Sequence, residues 1–190
     1  MTAPPIPCLA RLSDWAKSRI FWLAVTLAAL TLEGFALFSQ YVWGIQPCNE
    51  CILIRTGVLG IAVAGVLGAV APKVTSARVA ASGLLVAALA WALYRAYVLV
   101  SIEYQVAHGV ETGCKFFKGF PDWAPLDVWF PAVFEPRGKC GEIVGVFLGQ
   151  SFAVWGLVGL SLLALPVLAV LVAGPVRSFL RREVAATLKR

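Results

Sequence analysis

The chain has 190 residues, 60% of them hydrophobic and 14% charged, and a formal net charge of +6. Soluble domains are about half apolar and roughly a quarter charged, so this composition excludes an ordinary water-soluble enzyme. It also argues against nucleic-acid binding, because the basic residues flank long apolar runs instead of forming a basic face.

Four runs are long enough to cross a bilayer, which takes about 20 apolar residues in a helix. The first, 20–38, follows Arg11, Lys17 and Arg19 and holds one charge, Glu33. It is longer than a signal-peptide core and no small-x-small cleavage pattern follows, so it reads as a retained anchor. A short loop, 39–51, leads through Pro47 to the second run, 52–71, whose only charge is Arg55. Gly60, Ala64 and Gly68 form a small-residue row there, which predicts close approach of a neighbouring helix. The third run, 79–102, contains only Arg95; the fourth, 152–174, contains no charge, and its Pro166 predicts a kink. Backbone polar groups in lipid must be satisfied within the segment, so each run predicts a helix, and no period-2 alternation marks a barrel. The expected fold is an all-α membrane protein, a four-transmembrane-helix bundle. With no internal repeat and no low-complexity linker, 1–190 reads as one integral membrane domain.

Charge sets the orientation. Lys73 and Arg78 lie between the second and third spans, and Arg177, Arg181, Arg182, Lys189 and Arg190 follow the fourth. With four spans these segments share a side with the N-terminal tail, and the positive-inside rule makes that side cytoplasmic. The long loop 103–150 has four basic and six acidic residues and so faces outward. Its middle, 121–136, carries Trp123, Leu126, Trp129, Phe130, Val133 and Phe134 at helix-like spacing broken by prolines. That pattern fits a short helix in the headgroup plane and equally a loop packed on top of the bundle.

Cys48, Cys51, Cys114 and Cys140 fall on the outer side, which in a bacterium is the oxidising periplasm; Cys8, in the inner tail, reads as an inert thiol. Cys48-Asn49-Glu50-Cys51 is a C-x-x-C at an expected helix start, where the helix N-terminus favours a thiolate. Arg55 lies one turn deeper on the face of Cys51 and would favour its ionised form, against Glu50. An arginine this far inside a span is costly and usually functional, although snorkelling to the headgroups also fits. Cys114 and Cys140, 26 residues apart and flanked by Lys115 and Lys139, would close a long loop open to a soluble thiol protein. By spacing alone, four thiolates holding zinc or two static disulfides in a membrane scaffold remain open readings. Glu33 is expected to face the bundle interior and to pair with Arg55 or Arg95, or to stay neutral. His108, lacking a partner in the sequence, is set aside.

These residues resemble the disulfide bond formation protein B (DsbB) family over nearly the whole chain. The matching pieces are Glu33 fifteen residues before Cys48, Pro47-Cys-x-x-Cys51 and Cys51-x-x-x-Arg55. Further on come Ala71-Pro72-Lys73, Cys114, Phe120-Pro121-x-Trp123-x-Pro125-Leu126-Asp127-x-Trp129, Cys140 and Phe147-Leu148-Gly149. Two positions depart: Leu53-Ile54 stands where many members carry an aromatic-acid pair, and Asn49-Glu50 is a more polar insert than usual. The resemblance implies an enzyme, a quinone-dependent thiol oxidase of the bacterial inner membrane. A reduced, periplasmic, DsbA-like thioredoxin-fold partner would attack the loop disulfide at Cys114. Cys140 would pass electrons to the Cys48–Cys51 pair, and Cys51, beside Arg55, to ubiquinone or menaquinone. A quinone reductase resembling vitamin K epoxide reductase also joins cysteine pairs to quinones, but it lacks the loop match.

Overall fold

The computed structural model describes residues 7–110, 120–138, 141 and 145–187; the side chains of 7–10 and 181–186 lie outside that description. Its helices are α1 (Pro7–Trp15), α2 (Arg19–Val42), α3 (Asn49–Val70), α4 (Thr75–Ala107), α5 (Leu126–Trp129), α6 (Pro131–Phe134) and α7 (Phe152–Thr187). Two short strands, β1 (Val146–Phe147) and β2 (Gln150–Ser151), precede α7. Four helices, α2, α3, α4 and the Phe152–Leu180 part of α7, are long and apolar enough to span a membrane. The expected bundle is therefore present, and the helices run past the apolar runs that announced them. Apolarity ends where the bilayer would end, whereas a helix continues until a breaker: α4 stops only before Gly109, which takes φ 74°.

The central helix is α3. Half of its most apolar window is buried, against 28% in each of the other three. Lipid is as apolar as leucine, so close packing holds spans together, and glycine supplies the closeness here. A Cβ on Gly57 would lie 2.8 Å from Ala92 Cβ, and one on Gly60 would lie 3.0 Å from Ala88 Cβ, both on α4. On another face, Gly65 abuts Thr26 and Gly68 abuts the Trp22 ring of α2. The single row expected from Gly60, Ala64 and Gly68 thus serves two neighbours, because successive small residues wind around the helix. Trp22 is completely buried and donates its indole N–H to Ala16 O at 3.0 Å, which ties the top of α2 to the segment before it.

Both ends of the bundle are built by segments far apart in sequence. Arg177 Nη1 of α7 donates to Ser13 Oγ of α1 at 3.0 Å, so α1 closes one end. The cysteine-bearing start of α3 lies at the other. There the outer loop forms two four-residue helices where one was expected. Pro131 is the reason: it forces Phe130 out of the helical region, to φ −133°, and then opens α6 as its first residue. Its aromatics divide between packing on the bundle and exposure. Phe134 is buried against the bundle, while Trp123, Val128, Trp129 and Phe130 are exposed. The β1–β2 hairpin has no counterpart among the sequence expectations. It pairs Val146 with Ser151 and Phe147 with Gln150 around Leu148-Gly149, both at positive φ as a tight two-residue turn requires.

Close packing at Gly68 gives a test. Gly68→Ala drives a methyl group into the Trp22 ring and should cost about 1–3 kcal/mol of stability. Gly34→Ala, with nothing within 4 Å of the new Cβ, should be neutral or slightly stabilising. Melting temperatures of the two variants in the same detergent check the contrast.

Candidate functional site

Cys48 is the N-cap of α3. Its backbone is extended and its Sγ accepts the Cys51 N–H at 3.3 Å, the place where a helix presents unsatisfied N–H groups and the positive end of its dipole. The two sulfurs are 2.6 Å apart; Cys48 is buried and Cys51 half-buried. The approach to Cys48 is pinned from the outer loop, since Pro47 O accepts the N–H groups of Arg137 (3.0 Å) and Gly138 (2.9 Å). A side chain at 138 would collide with Gln46 O, at 2.5 Å from the new Cβ, so glycine permits this approach.

Arg55 points sideways into protein and is 5% exposed, which replaces the snorkelling alternative. Its Nη1 donates to Gln40 Oε1 and to Val133 O, both at 2.7 Å, and its Nη2 donates to Ala36 O at 3.2 Å. Its Nε lies 3.7 Å from Glu33 Oε1. One guanidinium therefore joins α3 to α2 and to α6. Gln40 reinforces the joint by donating to Ala132 O at 3.2 Å, and Tyr41 Oη donates to the same oxygen at 2.7 Å. Sequence reasoning missed Gln40. The signal was available: it lies seven residues after Glu33, two turns along the same helix face.

Of the two partners expected for Glu33, the structure selects Arg55. Arg95 pairs instead with Glu50 across α3 and α4, at 3.3 Å, while its guanidinium lies 4.5 Å from the Trp91 ring centroid. Trp91 in turn donates to Leu53 O at 3.0 Å. The carboxylate inside the C-x-x-C is thus committed to an arginine.

A cavity of about 230 Å³ opens beside the cysteines, walled by α2, α3 and α7 with Leu99 and Glu103 of α4. Cys48, Cys51, Glu33 and Arg55 border it, and the rest of the wall is mainly apolar, including Leu32, Phe35 and Ile54. Both Glu33 carboxylate oxygens are buried and make no hydrogen bond among the described residues. At the rim, Ser151 Oγ donates to Glu103 Oε2, linking the hairpin to α4. Cavities that hold a whole drug-sized ligand run from roughly 300 Å³ upward, and this one is somewhat smaller.

Cys114 and Cys140, with Lys115 and Lys139, lie outside the described residues. The described neighbours of Cys140 are informative: Gly138 is bonded to Pro47 O, and Gly141 borders the cavity. His108 stacks on Tyr104, ring centroids 4.2 Å apart, in an exposed position away from the cavity. Among the described residues no cluster of three metal-ligating side chains occurs.

The ion pair of Arg55 and Glu33 should show in stability. Removing one partner of a buried pair costs about 3–5 kcal/mol, so Arg55→Met should destabilise strongly. Glu33→Gln leaves the guanidinium its three oxygen acceptors and should cost less. A double-mutant cycle read by thermal unfolding in detergent should return a non-additive coupling.

The family model described as disulfide bond formation protein DsbB matches residues 18–170. Disulfide bond formation protein B 2 of Pseudomonas aeruginosa is 48% identical over 141 residues, 74% of this chain and 82% of that protein. Disulfide bond formation protein B of Photobacterium profundum is 42% identical over 148 residues, 76% of this chain and 81% of that protein. The protein of that name from Shewanella denitrificans is 34% identical over 150 residues, 79% of this chain and 85% of its own length.

Proposed function

The chain belongs to the disulfide bond formation protein DsbB family, and on that footing we propose that it is a protein thiol:quinone oxidoreductase that reoxidises a DsbA-like partner. It acts as one unit in the bacterial inner membrane, with both termini cytoplasmic and the redox cysteines periplasmic. The grouping of Lys73, Arg78 and Arg177 away from the cysteines supports that orientation. The observation that carries the reading is the mainly apolar cavity with Cys51, Arg55 and Glu33 on its wall.

The cavity fits the headgroup of ubiquinone or menaquinone. Its wall is mainly apolar, and it offers a guanidinium and a carboxyl whose oxygens make no hydrogen bond among the described residues. A bound quinone supplies a two-electron, two-proton acceptor at the sulfur. The remaining chemistry belongs to the chain and proceeds by thiolate exchange. The partner's thiolate attacks Cys114 Sγ, breaks the Cys114–Cys140 bond and forms a mixed disulfide; the partner's second thiol resolves it and leaves oxidised. The Cys140 thiolate attacks Cys48 Sγ and expels the Cys51 thiolate. The Cys114 thiolate freed by the partner then attacks Cys140 Sγ, re-forms the loop disulfide and releases Cys48. This leaves a Cys48/Cys51 dithiol, whose two electrons and two protons pass to a bound quinone as the Cys48–Cys51 disulfide re-forms. Chain connectivity supports that transfer, because Cys140 is two residues from Gly138, which is hydrogen-bonded to Pro47. Cys51 then stands at the positive end of α3, one turn from Arg55, as the electron donor facing the cavity. Arg55 stabilises and orients negative charge there, and the Glu50–Arg95 pair keeps the adjacent carboxylate directed away.

The decisive assay mixes purified protein with reduced thioredoxin-fold partner and a soluble quinone analogue and follows quinone absorbance. Wild type should turn over many times, and Cys51→Ser should abolish turnover. Arg55→His should raise the KM for quinone about 10- to 100-fold, the equivalent of one charge-assisted hydrogen bond of roughly 1.5–3 kcal/mol, with partner binding less affected. An unchanged quinone KM would remove Arg55 from its assigned role. Cys114→Ser should stop oxidation of the protein partner while reaction with small dithiols persists. Full-rate oxidation of the partner by that variant would refute the order of the relay.

A further inference from the structure

At the end of the bundle opposite the cysteines lies a second cavity, about 750 Å³, between α1, the first turns of α4 and the last turns of α7. Its charged lining is Asp14, Lys17, Arg78 and Arg177. Asp14 and Lys17 neutralise one another at 2.9 Å. The Lys17 hydrogen bond and charge, with Arg177 adding at longer range, hold the Asp14 carboxyl below the usual carboxylate range. The two arginines are held only by neutral oxygens: Arg78 Nη1 donates to Pro72 O at 3.2 Å, and Arg177 Nη1 donates to Ser13 Oγ at 3.0 Å. Neither has a carboxylate within ion-pair distance among the described residues. Arg177 Nε is buried on this wall without a hydrogen-bond partner among them. Among the described residues the cavity therefore presents two guanidinium groups without a close carboxylate, Arg177 interacting with Asp14 only at longer range and keeping an Nε without a hydrogen-bond partner.

Depth and shape narrow the ligand. Arg78 stands on the first turn of α4 and Arg177 near the end of the apolar part of α7, Phe152–Leu180, so both lie where headgroups meet hydrocarbon. The lining also includes the apolar Val79 of α4 and Val170 and Leu171 of α7. Val79 and Val86 are exposed on one face of α4, and Leu168 and Val172 are exposed on α7. A forked guanidinium pair suits a phosphate, and the apolar track suits acyl chains. The volume far exceeds one bare phosphate.

We propose that this cavity binds a phosphate group, carried by an anionic phospholipid, with Arg78 and Arg177 as its ligands and the acyl chains along α4 and α7. The proposal is independent of the redox reading, since no residue of this cavity borders the cysteine site.

The test uses full-length protein in a neutral detergent, with lipid binding measured by native mass spectrometry and by thermal shift. Phosphatidylglycerol is compared with phosphatidylcholine of the same chains, and inorganic phosphate is the soluble arm. Basic residues at an anionic surface contribute roughly fivefold each, so phosphatidylglycerol should bind about 25-fold more tightly, with the difference shrinking as salt rises. The double variant Arg78→Gln/Arg177→Gln should lose that preference. Ser178→Glu keeps both arginines and adds a carboxylate to the cavity wall, so it should lose the preference too, even if the double variant fails to fold. Arg137→Gln, at the cysteine end, should retain it. Equal binding of the two lipids by wild type, together with no response to phosphate, overturns the proposal, as does a preference that survives in Ser178→Glu and in the folded double variant. A shift with inorganic phosphate that is lost in Ser178→Glu, without any lipid preference, upholds the phosphate site and moves its source from lipid to solution.

Discussion

The arrangement at the cysteine end depends on one buried cation. A charged side chain inside a span is costly unless it faces protein and finds partners, and the Arg55 guanidinium finds four: Gln40, Ala36 and Glu33 on α2, and Val133 on α6. Three acceptors on one helix fix the rotation of α2 against α3. The fourth fixes a loop segment more than seventy residues away in sequence. The carbonyls of Ala132 and Val133 accept from Tyr41, Gln40 and Arg55, so docking this loop satisfies backbone groups and the charge together.

That joint shapes the cavity. With Arg55 drawn toward α2, space opens between α2, α3 and α7 beside Cys51, and Glu33 lies on its wall, paired with Arg55 but with no hydrogen bond to its oxygens among the described residues. Two other contacts complete the frame. Glu50 is held by Arg95 on α4, and Glu103 by Ser151 at the end of the hairpin. Polar chemistry is thereby concentrated at one level of an otherwise apolar bundle, a few residues inside the end of α3.

The opposite end follows another logic. There Arg78 and Arg177 are held by a carbonyl and a hydroxyl, with no carboxylate in ion-pair range among the described residues, and they line a roomy cavity together with the exposed Val79. At the cysteine end the buried charge is met by partners within the protein, whereas at the opposite end the described partners of the arginines are neutral oxygens. The contrast is between Arg55, with Glu33 beside it, and Arg177, with a buried Nε that no described group meets.

The residues alone were enough for the helical class, the four spans, the helix start at the C-x-x-C and an interior-facing Glu33, while for Arg55 they left snorkelling open. Each of these follows from local rules: an apolar run must be helical in lipid, a spacing of four shares a face, and a buried charge needs company. The tertiary structure alone decided which company. The pairing of Glu33 with Arg55 and Arg95 with Glu50, the docking of Val133, the division of the α3 glycines between two neighbours and the breaking of the loop helix at Pro131 all depend on distances between segments remote in the chain. Periodicity places a residue on a face of its own helix. Which neighbour that face meets is settled only when every buried charge and backbone carbonyl in the bundle is satisfied at once.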